Sequence, residues 1–243
     1  MDSESNNNFD PSDVHSLMNN ADYLILHGSR CYGTATEKSD MDYRGFILEP
    51  AEHLLGFKTF HSAREHVPGG TIDTTIYSFS HYFKLLMKGS PETVEQLFHP
   101  NPLKSGRISE LLRNNSNLFI TIHTIRSTLA FADASMKKFG NNDNPKEASH
   151  ACRLVEQAMQ LCENKRIEYP LSIANTLIRI KNGELSRENV QRGYGVLRQR
   201  AEEIMNESTF VSHNDPKIEK KLFDLYLECV EPVLTKSMVA FKE

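Results

Sequence analysis

The segment from Ala21 to Leu48 constrains this chain more than any other. Ala21 to Leu26 is a short apolar and aromatic run that reads as a strand. It breaks at Gly28-Ser29. A glycine lets the backbone approach a phosphate closely and take a positive φ without strain. Ser29 adds a hydroxyl and a free N–H, and successive N–H groups in a turn or helix start form an anion-binding concavity. Arg30 adds charge, and Gly33 allows a second tight turn. A second strand-like stretch, Asp40-Met41-Asp42-Tyr43-Arg44-Gly45-Phe46-Ile47-Leu48, follows. Residues two apart in a strand share a face, so Asp40 and Asp42 point together and Met41 and Tyr43 point the other way. Two hard carboxylates on one face suit Mg²⁺, which takes oxygen ligands and leaves positions for phosphate oxygens and water. Gly-Ser alone is common in turns, and Asp-x-Asp alone is common at solvated strand edges. Their combination at this spacing is specific, and it points to nucleotidyl transfer.

A third acid lies on a later strand. Thr71 to Phe79 is a β-branched run of period two, introduced by the turn signal Pro68-Gly69-Gly70. Ile72, Thr74 and Ile76 form one face; Asp73, Thr75 and Tyr77 form the other. An acid inside such a run opposes strand preference, and local conflicts of this kind mark functional sites. Glu65 is the rival for the same role, in a polar, loop-like stretch from His61 to His66.

These stretches resemble the nucleotidyltransferases of the DNA polymerase beta superfamily, whose signature is Gly-Ser followed by a spaced Asp-x-Asp. The chain is most similar to a narrower group, the bacterial and phage predicted nucleotidyltransferases of the RNA-repair-associated DNA polymerase beta family. The likeness rests on Gly28 to Thr34, Ser39 to Gly45, Asp73 to Tyr77, Phe83 to Pro91 and Glu95 to Phe98, with a later helix carrying His150 and Arg153. Ser90 departs from the Asn expected before Pro91. The resemblance implies an α+β fold, with a small mixed-sheet nucleotidyltransferase head followed by an all-helical C-terminal region. It implies that Asp40, Asp42 and Asp73 are catalytic and hold two Mg²⁺ ions, with Mn²⁺ as an alternative. It implies a nucleoside triphosphate as donor, with Gly28, Ser29, Arg30 and Ser39 on its phosphates. It also implies an RNA acceptor, a tRNA-like 3′ end. Transfer to a protein or small-molecule hydroxyl is the alternative, and a nucleotide-binding protein without turnover is a third reading.

After Ser80 the pattern becomes helical. Tyr82 to Lys88 reads as a helix, and Ser90-Pro91 starts another, with Ser90 as cap and Pro91 as first helical residue. Ile108–Asn114, Leu118–Phe139, Pro145–Asn164, Ile173–Lys181, Arg187–Asn206 and Pro216–Phe241 follow with helical periodicity. The expected division is a disordered tail over residues 1–10, a catalytic domain over 11–103 and a helical domain over 104–243. His150 and Arg153, three apart, share a helix face. They either contact the triphosphate or its base, or the histidine edges the core while the arginine pairs with Glu147 or Glu156. Lys84 and Lys88 are candidates for phosphate contact or for a solvated face.

Charge is uneven. Residues 1–100 carry 7 Lys and Arg against 14 Asp and Glu, and the remainder carries 21 against 18. An acidic catalytic half is expected where carboxylates bind metal. The mildly basic remainder is compatible with a polynucleotide without requiring one. No apolar run has the roughly eighteen residues a membrane span needs. The four cysteines show no Cys-x-x-Cys pairing and read as free thiols. With a polar, acidic N-terminus, the expected location is the cytoplasm, or the host cytoplasm for a phage-encoded chain.

Overall fold

The computed structural model describes residues 9–37, 39–66 and 71–240. The expected tail, apart from Phe9 and Asp10, and the Pro68-Gly69-Gly70 turn lie outside the described residues.

The chain begins with α1 (Val14–Asn19), whose Asp13 cap accepts from the Ser16 N–H. Then come β1 (Tyr23–Leu26), the short helix α2 (Gly28–Tyr32) and β2 (Met41–Ile47). A further short helix, α3 (Ala51–Leu54), leads to β3 (Ser62–His66) and β4 (Ile72–Ser78). Ser78 ends β4 and caps α4 (Phe79–Met87) by accepting from the His81 N–H. α5 (Pro91–Gln96) starts on Pro91 as expected, although Ser90 makes no side-chain cap bond. β5 (Lys104–Ser105) and α6 (Arg107–Asn114) precede a 3₁₀ turn at Ser116–Phe119. The long helices are α7 (Ile122–Asn142), α8 (Pro145–Asn164), α10 (Arg187–Glu207) and α11 (Pro216–Ala240), with the shorter α9 (Ala174–Lys181) between α8 and α10. The fold is α+β, with a mixed sheet in the N-terminal half and helices behind it.

Around α7 two helix ends differ from the periodicity reading, for local reasons. The expected helix from Leu118 is split, because Thr121 adopts an extended conformation and caps α7 through the Thr124 N–H. α7 then runs through Gly140 to Asn142 and stops where Asp143 turns left-handed. Asn144 and Pro145 start α8 at once.

The five strands lie in the order β3-β4-β2-β1-β5. β2 and β4 run parallel; every other pair is antiparallel. The parallel register sets Asp42 beside Asp73. The stretch read as a polar loop from His61 is therefore the edge strand β3, which pairs only with β4. Ala63 is its one buried residue, so the apolar alternation that identifies a strand is absent. β5, just past the expected boundary at 103, closes the other edge on β1.

The sheet separates two apolar clusters. Leu24, Ile47 and Ile76 pack with Leu17, Ala21, Phe60 and Ala63 on one face. Tyr23, Ile25, Phe46 and Tyr77 on the other face join a cluster that continues through α4 to α8 and reaches Cys229 and Val230. All four cysteines are free and buried. Among the described residues no helix is long and apolar enough to cross a membrane.

Candidate active site

A cleft of about 770 Å³ opens between the strand ends and the helical region. One wall carries Gly28, Ser29, Ser39, Asp40, Asp42, Arg44 and Glu92. The other carries Phe131, Lys146, His150, Arg153 and Lys181.

The first wall is built by the turn after β1. The His27 N–H donates to the Asp42 carbonyl at 2.7 Å, tying the turn to β2. Gly28 follows at φ 65°, a conformation L side chains rarely adopt, and an added Cβ would overlap the Asp42 carboxylate. The opening N–H groups of α2 have no acceptor within their own helix. The Gly28 backbone lies against the Asp42 side chain, which lines the cleft. Thr34 donates its N–H to the Ser29 carbonyl at 2.9 Å, and Ser39 closes a turn with Thr36 at 2.8 Å. Arg30 is exposed, outside the cleft lining, and donates to the Ser39 carbonyl at 3.2 Å.

Asp42 and Asp73, neighbours on parallel strands, share a cation. Arg44 Nη2 lies 3.2 Å from Asp73 Oδ2 and 4.0 Å from Asp42 Oδ1, and its Nε lies 3.3 Å from Glu92 Oε1. Burial works against the Arg44 charge, but the three carboxylates outweigh it and hold its pKa above the usual value. Arg44 shares the Asp42 face of β2 by strand alternation, while Asp40 lies just before the strand. Its two-residue offset from Asp42 was the available sequence signal; its role as their counter-ion was not assigned. Among the described residues no three His, Cys, Asp or Glu side chains are gathered closely enough to hold a metal ion. The donor chemistry still suits a divalent cation: these are hard oxygen ligands, and a positive group already sits between two of them. Register sets Glu65 opposite Thr74, and so on the other sheet face from Asp73.

The second wall is anchored by a buried network that sequence reasoning missed. Glu95 on α5 lies 2.6 Å from Arg153 Nη1 on α8 and 3.0 Å from His27 Nε2. Gln157 donates to the same carboxylate at 2.6 Å and Tyr32 at 3.1 Å. The Arg153 guanidinium also lies 4.1 Å from the centre of the Tyr32 ring. Burial opposes the Glu95 charge, but Arg153, His27 and the hydrogen bonds overcome it and hold the carboxyl at about 2. Arg153 thus pairs with Glu95, not with Glu147 or Glu156 on its own helix. Glu95 has no local signal of this partner, since 58 residues separate the pair. His150 accepts from Arg153 Nη2 at 3.1 Å through Nδ1. Partial enclosure in the cleft and the adjacent guanidinium push its imidazole down to about 4.

The structure thus brings Gly28, Ser29, Ser39, Asp40, Asp42, His150 and Arg153 to one cleft, with Asp73 beside Asp42. Lys84 and Lys88 are exposed at α4 and outside the cleft lining.

A Gly-Ser turn seated on an Asp-x-Asp strand, at the head of a mixed sheet, has the form of a polymerase-beta-type nucleotidyltransferase. Residues 7–224 match the model of the RNA repair pathway DNA polymerase beta family, and the chain belongs to that family. An uncharacterized 38.9 kDa protein from the nrdC-mobD intergenic region of Enterobacteria phage T4 is 28% identical over 128 residues. That match covers 46% of this chain and 37% of the phage protein, so the similarity takes in well under half of the relative's length.

Proposed function

We propose that this protein is a metal-dependent nucleotidyltransferase. It moves a nucleoside monophosphate from a nucleoside triphosphate to an acceptor hydroxyl, an RNA 3′ end, and releases pyrophosphate. The observation that carries this reading is the Gly28-Ser29 turn lying over the Asp42 carboxylate inside a nucleotide-sized cleft. The RNA acceptor rests on the family's association with RNA repair.

In this reading the Gly28 and Ser29 N–H groups and the Ser29 hydroxyl hold the β- and γ-phosphates. Asp40, Asp42 and Asp73 would hold two Mg²⁺ or Mn²⁺ ions. Bound there, the ions supply positive charge to the attacking and leaving oxygens. Asp73, which now pairs with Arg44, would complete the set, and Glu92 would remain as a partner for the guanidinium. The acceptor oxygen forms a bond to the α-phosphorus, the bond from that phosphorus to the pyrophosphate oxygen breaks, and the hydroxyl proton leaves to solvent. Catalysis is then mostly positioning and electrostatics. Residues 11–103 carry the chemistry, and 104–243 close the cleft from the far side.

Incubation with labelled triphosphates and magnesium, against RNA and protein acceptors, tests this. The wild type labels RNA, while Asp40→Asn and Asp42→Asn lose transfer and keep their fold. Equal transfer by either variant removes the site, and labelling of protein in place of RNA removes the acceptor.

A further inference from the structure

The helical wall of the cleft carries side chains that the Glu95 network leaves unused. Phe131 on α7 lines the cleft with 57% of its surface exposed, while the same helix buries Leu129, Ala132 and Met136. Lys146, in the first turn of α8, and Lys181, the last residue of α9, line the same cleft. Neither lysine has an acidic partner among the described residues. His150 lies on this wall too, and because its Nδ1 accepts from Arg153, the neutral ring carries its N–H on Nε2.

An exposed aromatic face and two ammonium groups without ion-pair partners, lining one concave site, match the chemistry of a nucleotide. A base offers a π-face to stack, and its phosphates offer negative charge to the lysines. Arg153, one of the cations that the sequence offered for this task, is spent on Glu95. We propose that Phe131, Lys146 and Lys181 form a nucleotide subsite on the helical wall, with a base stacked on Phe131 and phosphates held by the two lysines. The proposal rests on the transferase reading in one respect: the subsite presents its nucleotide to the Asp42 wall. The occupant is either the donor triphosphate or a nucleotide of the acceptor strand, and both offer the same base and phosphate chemistry.

Equilibrium binding separates these sources. A fluorescent ATP analogue and a labelled single-stranded oligoribonucleotide are titrated against wild type, Phe131→Ala, Lys146→Ala and Lys181→Ala. Thermal melting confirms that each variant is folded. Each variant binds at least one probe roughly tenfold more weakly. Phe131→Tyr, Lys146→Arg and Lys181→Arg restore binding. Where the acceptor strand is the occupant, each Lys→Ala change also lowers the slope of log oligoribonucleotide affinity against log salt by about one. Weakening for the ATP analogue alone assigns the donor, and weakening for the oligoribonucleotide alone assigns the acceptor strand. Unchanged affinity for both probes overturns the subsite. Turnover of Asp42→Asn keeps the two readings apart. An inactive Asp42→Asn with unaltered wall variants overturns the subsite alone, and a fully active Asp42→Asn with weak-binding wall variants overturns the transferase alone.

Discussion

Gly28 and Asp42 are fourteen positions apart in sequence, yet no side chain fits between them. That single contact joins the turn proposed to hold phosphate to a carboxylate proposed to hold metal. Gly28→Ala would meet both a φ of 65° and the Asp42 oxygen. We expect it to lose nucleotide transfer almost completely while costing only about 1–3 kcal/mol of stability. Transfer assays beside urea unfolding check this, and an active Gly28→Ala removes the close approach from the mechanism. The Asp-x-Asp pair, the Gly-Ser turn and Asp73 were legible because each depends on short-range alternation or a turn. Arg44 was half legible, since alternation sets its face but not its partners. Glu95 was not legible, because a buried acid is explained only by what surrounds it.

At the scale of elements, a buried ion pair ties α5 to α8. Removing Arg153 would leave Glu95 buried without its guanidinium partner. Breaking a buried pair from one side costs about 3–5 kcal/mol, so Arg153→Met is expected to destabilise by that order in chemical denaturation. Replacing both partners, Glu95→Gln with Arg153→Met, should recover much of the loss, and a double variant no better than the single sinks the pairwise account. The network also predicts a pH dependence. The Glu95 carboxyl is held at about 2 in the folded state, below its unfolded value. Its contribution is therefore complete above about pH 4.5 and is lost as pH falls toward 2. The stability difference between wild type and Glu95→Gln should shrink across that window, and a constant difference rules out the linkage. Helices α7 to α11 were readable from periodicity and caps, while β3 was hidden because an edge strand needs no apolar alternation.

Across the whole molecule, one apolar cluster runs from Tyr23 on β1 to Val230 on α11. The sheet and the helices behind it therefore share a core, and β5 at Lys104–Ser105 pairs with β1 from beyond the expected boundary. We expect the two parts to unfold in a single calorimetric transition, and two separated transitions would show independently stable halves. The sharing also explains the cleft: the helices that complete the core set Lys146, His150 and Lys181 opposite Asp40 and Asp42.

Sequence alone determined most of the elements and where the acids and the Gly-Ser turn fall, because strand alternation, helix periodicity and turn residues act over a few positions. It carried the α+β class, the three acids and the Gly-Ser turn. Packing decided the rest. Which cation neutralises Glu95, which one sits between Asp42 and Asp73, and which lysines stay free in the cleft depend on groups tens of residues apart. Those pairings are settled by desolvation and proximity in the folded core, and no local pattern encodes them.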